Sequence, residues 1–106
     1  GDAIIDEYHY VVPMGKSAKE NMIATRYQDQ EIFAGGVFAA ANHLASFVKQ
    51  VDIITVIGDH DDYLEFTKQH LKPNVRLFPV IRPGAPTTRK RRYVDPSYMR
   101  KLFEVY

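Results

Sequence analysis

Val51-Asp52-Ile53-Ile54-Thr55-Val56-Ile57-Gly58 is the stretch on which the fold turns. Five of its first seven residues are Val or Ile, and a run this short and this rich in β-branched side chains reads as a buried parallel strand, which Gly58 ends. Upstream, Phe38, Ala41, Leu44, Ala45 and Val48 recur at three- and four-residue spacing, which predicts a helix opening after Gly35-Gly36. Downstream, Asp61 or Asp62 can cap a second helix running through His70. That helix carries Tyr63, Phe66 and His70 on one face, and Lys72-Pro73 follows its end. Val75 to Ile81 supplies another strand, and Pro79 within it argues for a sheet edge or a change of direction. Strand alternating with helix is the βαβ rhythm, so the chain is expected to be α/β with a parallel sheet.

The flanks read differently. Ala3 to Val12 mixes β-branched and aromatic residues and runs into Pro13, which suggests a strand that continues outward. Gly15 to Asn21 reads as a turn, Met22 to Tyr27 as a short returning strand, and Gln28 to Glu31 as a polar connection. Arg82 to Pro86 reads as a loop. Thr88 to Val94 and Arg100 to Tyr106 read as two strands joined through Asp95-Pro96-Ser97. The first residues hold neither an initiating Met nor a signal-peptide pattern, and Lys101 to Tyr106 has no Gly, Pro or Asn to stop it. An excised or partly ordered piece of a longer protein is therefore expected.

Composition narrows the partners. With 106 residues, 45% hydrophobic and 25% charged, the chain is at most one ordinary globular domain. Fourteen Lys and Arg against thirteen Asp and Glu leave +1, too near neutral to argue for a nucleic acid or an anionic membrane. The longest apolar runs, Phe33 to Ala41 and Ile53 to Ile57, fall well short of the roughly 20 residues of a membrane-spanning helix. Zero cysteines remove disulfides, Cys-based zinc sites and thiol nucleophiles, and fit the cytoplasm. The expectation is a cytoplasmic protein with no nucleic-acid and no membrane partner.

Several local motifs dissolve on inspection. Gly15-Lys16-Ser17 mimics the end of a phosphate-binding loop, but Tyr10 stands where that loop needs its first glycine. His60 beside Asp59, Asp61 and Asp62 suits a solvated helix start better than a metal, and His9 and His70 lack partners at ligand spacing, so no metal is expected. Arg89-Lys90-Arg91-Arg92 is the only basic run, and on a strand it divides into two cations per face, enough for one phosphate but not for a nucleic-acid track. Asp6, at the end of a strand, stands where open α/β sheets place ligands, and a carboxylate there can accept hydrogen bonds from sugar hydroxyls or simply cap a turn. Gly35-Gly36 ahead of a helix can admit a ligand to the backbone or make a tight turn.

Four motifs occur in order: Gly1-Asp2-Ala3-Ile4-Ile5-Asp6, Ala34-Gly35-Gly36 opening an Ala-rich helix with Asn42, Val56-Ile57-Gly58-Asp59, and Pro86-Thr87-Thr88-Arg89-Lys90-Arg91-Arg92. Together they resemble the N-terminal portion of PfkB/ribokinase-family carbohydrate kinases, most closely the heptose-phosphate kinase module of ADP-heptose synthases. The resemblance implies a ribokinase-like, partial three-layer parallel sheet with helices over about 1–7 and 34–81. It also implies a small β-lid over about 8–27 and 88–106. By the same resemblance, Asp6, Gly35 and Gly36 hold a sugar, Asn42 joins them, and Lys90 and Arg92 meet a sugar phosphate. The family's asparagine falls four or five positions after the first glycine, where this chain has Ala39 and Ala40, while Asn42 comes at the seventh.

ATP and Mg2+ are implied for a full-length kinase only. The family's catalytic base lies in a Gly-x-Gly-Asp motif that these residues do not contain. No catalytic residue is therefore expected here, and this chain alone is expected to be inactive. Lid strands of this family often pair between subunits, which implies a homodimer. The alternative is a non-catalytic sugar-binding or dimerisation module.

Overall fold

A computed structural model describes residues 1–106. In chain order it holds β1 (Ala3–Lys16), β2 (Ile23–Gly36), α1 (Val37–Leu44), β3 (Val51–His60), α2 (Leu64–His70), β4 (Val75–Pro86), β5 (Thr88–Asp95) and β6 (Arg100–Val105). The fold is mixed α/β with a partial sheet: β3 and β4 pair in parallel, and a second sheet has the order β2-β1-β5-β6. The chain divides into two compact units, one of Gly1–Asp6 with Phe33–Arg89 and one of Glu7–Ile32 with Lys90–Tyr106.

The first unit is organised by β3. Its side chains alternate, Val51, Ile53 and Ile57 being buried, while Ile54 and Val56 are 72% and 50% exposed. In register, Val51 lies beside Val75 and Ile53 beside Leu77 on the inner face, with Ile54 beside Phe78 and Val56 beside Val80 on the outer one. The near-continuous Val and Ile run thus makes a parallel strand as expected, but one covered on a single face. Both helices supply that cover. Phe38, Ala41 and Ala45 of α1 and its end join Ala3, Val51, Ile53 and Ile57 in one apolar cluster, and Leu64 and Leu71 pack against it. Burying a side chain the size of Phe38 contributes about 2–3 kcal/mol. On β4, Pro79 lies opposite Thr55 with no strand on its far side, the edge position that a residue without an N–H tolerates.

Element ends depart from the sequence expectation in traceable ways. α1 stops at Leu44, four residues before Val48, because its last turn tightens: Ser46 N donates to His43 O and Phe47 N to Leu44 O. The carbonyls freed there are met from afar, Asn74 Nδ2 donating to Ala45 O at 2.9 Å and to Val48 O at 3.1 Å. At α2 the expected acidic cap shifts by geometry. Tyr63, with φ +57°, precedes the helix, while the Asp62 carboxylate accepts from Leu64 N at 2.9 Å. β4 runs on to Pro86 through the stretch expected as a loop, and β2 runs through Gln28–Glu31 to Gly36.

The second unit is almost all strand. Val11 and Val94 are its fully buried apolar side chains, and Glu7 is buried with them. β5 and β6 pair antiparallel with a bulge at Tyr93/Val94, and Tyr93 stacks on Phe103 with centroids 4.4 Å apart. Between them the turn is set by the Asp95 carboxylate, which accepts from Ser97 N at 3.0 Å, and by Met99 in a left-handed conformation at φ +51°.

Candidate functional site

In the first unit, Asp6 and the glycine pair come together. Gly35 is the last but one residue of β2, Asp6 lies within β1 and not at the strand end expected, and a Cβ built on Gly35 would collide with the Asp6 carboxylate, whose Cγ would lie only 2.9 Å away. Gly36 has φ +57°, and a Cβ there would meet Asp2 O, with Ile4 Cγ1 at 3.3 Å. Val37 N, the first amide of α1, donates to Asp2 O at 2.9 Å. The glycines are therefore required by the chain itself: the room over Gly35 is taken by the Asp6 carboxylate, not kept open for a ligand. α1 starts at this point with no side-chain cap and no acidic residue in its first turn. A half-buried carboxylate beside a helix start can accept from hydroxyls while neighbouring amides donate to them.

Asn42 is not brought to that point. Its amide nitrogen donates to His70 O at 2.7 Å and its carbonyl accepts from Lys72 N at 2.9 Å, so the side chain ties α1 to the end of α2 and to the segment that follows it.

A cleft of about 230 Å³ in the first unit is lined by residues including Gly1, Asp2, Thr55, Gly58, Arg82 and Thr87. Thr87, buried, is its fastener: its hydroxyl accepts from Gly58 N and donates to Asp62 O, both at 3.0 Å. A Cβ on Gly58 would strike Ala85 O, Pro86 C and Thr87 N, so this position must be glycine, although β3 runs on past it to His60 instead of ending there as expected. Sequence reasoning quoted Thr87 within the Pro86 to Arg92 motif but assigned it no contact. Nearby, Asp59 accepts from Gly84 N at 2.6 Å and lies 2.6 Å from His60 Nδ1, and the Gly84 amide above all holds its carboxyl below the usual range. No three His, Asp or Glu side chains converge to hold a metal.

In the second unit Lys90 and Arg92 share one anion. Lys90 Nζ lies 3.4 Å and Arg92 Nε 3.2 Å from the same oxygen of Glu104, Oε2. Lys90 also sits 4.8 Å from the centre of the Tyr106 ring, and Arg92 lies 5.3 Å over Tyr8. The Tyr106 hydroxyl, aided by Glu104, holds the Lys90 ammonium above its ordinary value. The two cations line an open depression of about 370 Å³ with Lys101, Leu102, Phe103 and Glu104. Arg91 serves a separate group: its Nε donates to Glu7 Oε2 at 2.7 Å, and His9 Nε2 lies 3.1 Å from that oxygen. In the first unit, Arg89 donates to the Tyr63 hydroxyl at 2.9 Å. The basic run is thus divided among several partners and makes no continuous cationic track. No helix is long and apolar enough to cross a membrane.

No protein-family model matches the sequence, and no curated protein is significantly similar to it. Solved structures do match. A carbohydrate kinase from Agrobacterium tumefaciens is 19% identical with a TM-score of 0.64, over 99% of this chain and 33% of the kinase. The nucleoside kinase of Methanocaldococcus jannaschii, an archaeal member of the ribokinase family, is 13% identical with a TM-score of 0.59, over 99% and 34%. Phosphofructokinase-2 from Escherichia coli, solved with fructose-6-phosphate, is 11% identical with a TM-score of 0.55, over 99% and 32%. The chain spans about a third of the length of the kinases it matches, and its fold is that of the corresponding part of ribokinase-like sugar kinases.

Proposed function

We propose that this chain is the sugar-recognising part, with the lid strands, of a cytoplasmic ATP-dependent sugar kinase whose acceptor is a phosphorylated sugar, a heptose phosphate in particular. The observation that carries the reading is the Asp6 carboxylate set against Gly35 beside the start of α1. There Asp6 accepts hydrogen bonds from sugar hydroxyls, and the strand that holds it is fixed by its close fit to the glycine pair. Lys90 and Arg92 supply the charge for a phosphate. Asn42, engaged with His70 and Lys72, has no part in binding. ATP and Mg2+ do not fit the residues of this chain. Lys16 ends a strand and leads into a turn, not into a helix, and no carboxylate cluster could hold the ion. Phosphoryl transfer is therefore not assigned to these residues, and the chain alone is inactive.

Calorimetric titration with fructose 6-phosphate, a heptose 7-phosphate and the unphosphorylated sugars tests the reading. Asp6→Ala is expected to weaken binding of both forms by about tenfold, one charge-assisted hydrogen bond lost. Unchanged affinity removes Asp6 from the site. Lys90→Ala is expected to weaken only the phosphorylated form, and equal losses for both forms would end the phosphate role. The outer strands β2 and β6 carry unpaired ladder groups and are the surfaces for a homodimer. Sedimentation that stays monomeric at high concentration counts against that pairing.

A further inference from the structure

One carboxylate oxygen in the second unit already lies against both cations assigned to the phosphate. Glu104 Oε2 meets both Lys90 and Arg92, whose side chains are only 18% and 14% exposed, while Glu104 itself is 40% exposed. The cations project from β5, which has a neighbour on each side. Glu104 projects from β6, a six-residue edge strand with one neighbour and a bulge in its register. An edge strand of that kind is the easier of the two to move. The second Glu104 oxygen, Oε1, accepts from the Tyr106 hydroxyl at 3.2 Å. Burial alone would raise the Glu104 carboxyl, but Tyr106, Lys90 and Arg92 outweigh it, so the group carries its charge at neutral pH.

We infer that Glu104 is an internal competitor for the ligand's phosphate, a carboxylate that must leave Lys90 and Arg92 before the phosphate can enter and so sets how tightly it is held. This rests on the phosphate role proposed above for the two cations. Exchange of one carboxylate for another gains nothing, since charge and oxygen count are the same. Exchange for a phosphate gains, because it brings up to two charges and a third acceptor oxygen. Glu104 therefore lowers the apparent affinity of every anion by the same factor, and only an anion held more strongly than a carboxylate displaces it from Lys90 and Arg92.

The test is calorimetric titration of the 106-residue protein with inorganic phosphate and with acetate. Glu104→Gln is expected to bind phosphate about tenfold tighter, since one charge-assisted contact no longer has to be broken, and to bind acetate tighter by a similar factor. Both gains should vanish when Lys90→Ala and Arg92→Ala are added, and Arg91→Ala should change neither. Equal or weaker phosphate binding by Glu104→Gln overturns the inference. If the two alanines still weaken phosphate in that case, the phosphate site stands and only the competitor role is lost. If phosphate affinity ignores Lys90 and Arg92, both readings fall. Should Glu104→Gln not give the parent circular dichroism, Glu104→Ser serves in its place. An independent readout is amide exchange: phosphate should speed exchange in β6 of the parent protein, and unchanged exchange there overturns the competitor role.

Discussion

The first unit buries Ile5 and an apolar cluster built on Phe38, Ile53 and Ile57, with two helices laid on one face of a parallel strand pair. The second buries Val11, Val94 and the carboxylate of Glu7 and has no helix. The first unit is thus stabilised chiefly by area removed from water. The second relies on strand ladders, on ion pairs of Glu7 with Arg91 and of Glu104 with Lys90 and Arg92, and on aromatic contacts such as Tyr93 with Phe103. Apolar burial is non-directional and cooperative, whereas an ion pair acts only between the groups that form it. The contrast assigns rigidity to the unit holding Asp6 and adaptability to the unit holding Lys90.

Substitutions can break that contrast. The largest effect is expected for Gly58→Ala, because the added Cβ meets backbone atoms of Ala85, Pro86 and Thr87 that no rotamer change relieves. A loss above about 4 kcal/mol in urea unfolding is expected, and a near-neutral result would mean that β4 is not locked to β3 as described. Phe38→Ala should follow, at about 3–5 kcal/mol for a ring that is 1% exposed. In the second unit Glu7→Gln should cost about 1–3 kcal/mol, since it keeps the shape but withdraws the charge that faces Arg91 and His9. Amide exchange should report this loss in β1 and β5 alone. A cost as large as that of Phe38→Ala would erase the distinction between the units.

The smallest effect belongs to the exposed pair Asp52–Arg76, 2.9 Å apart. Hydrogen bonds from Arg76 first, then Gln50, hold the Asp52 carboxyl below its ordinary value. A depressed carboxyl stabilises the fold above its unfolded pKa of about 3.9. That contribution is lost as pH falls through the lowered value. Asp52→Asn should flatten this acid limb slightly and leave stability at neutral pH nearly unchanged, as urea titrations at a series of pH values would show.

How much of this was legible depended on where burial governs. The Val and Ile run of β3 and the Phe38–Ala41–Ala45 spacing announce a parallel βαβ core because apolar contact selects those residues. The β2 extension through Gln28-Asp29-Gln30-Glu31 left no trace, since those side chains are exposed and the strand there persists through its ladder. The end of α1 was hidden for a different reason: Asn74, far along the chain, takes up carbonyls that local pattern cannot see. For the candidate site, residue types pointed to Asp6 and Gly35, but not to the fact that each leaves room for the other. The α/β expectation held, and single-face coverage of β3 was invisible because Ile54 and Val56 are as apolar as their buried neighbours.

That uncovered stripe of Ile54, Val56, Phe78 and Val80 governs how the chain behaves in the tube. Warmed molecules will meet through it faster than they refold, so a melting scan should shift with heating rate and read as a lifetime instead of an equilibrium. Charged replacements at Ile54 and Phe78 would restore reversibility while sparing the inner face.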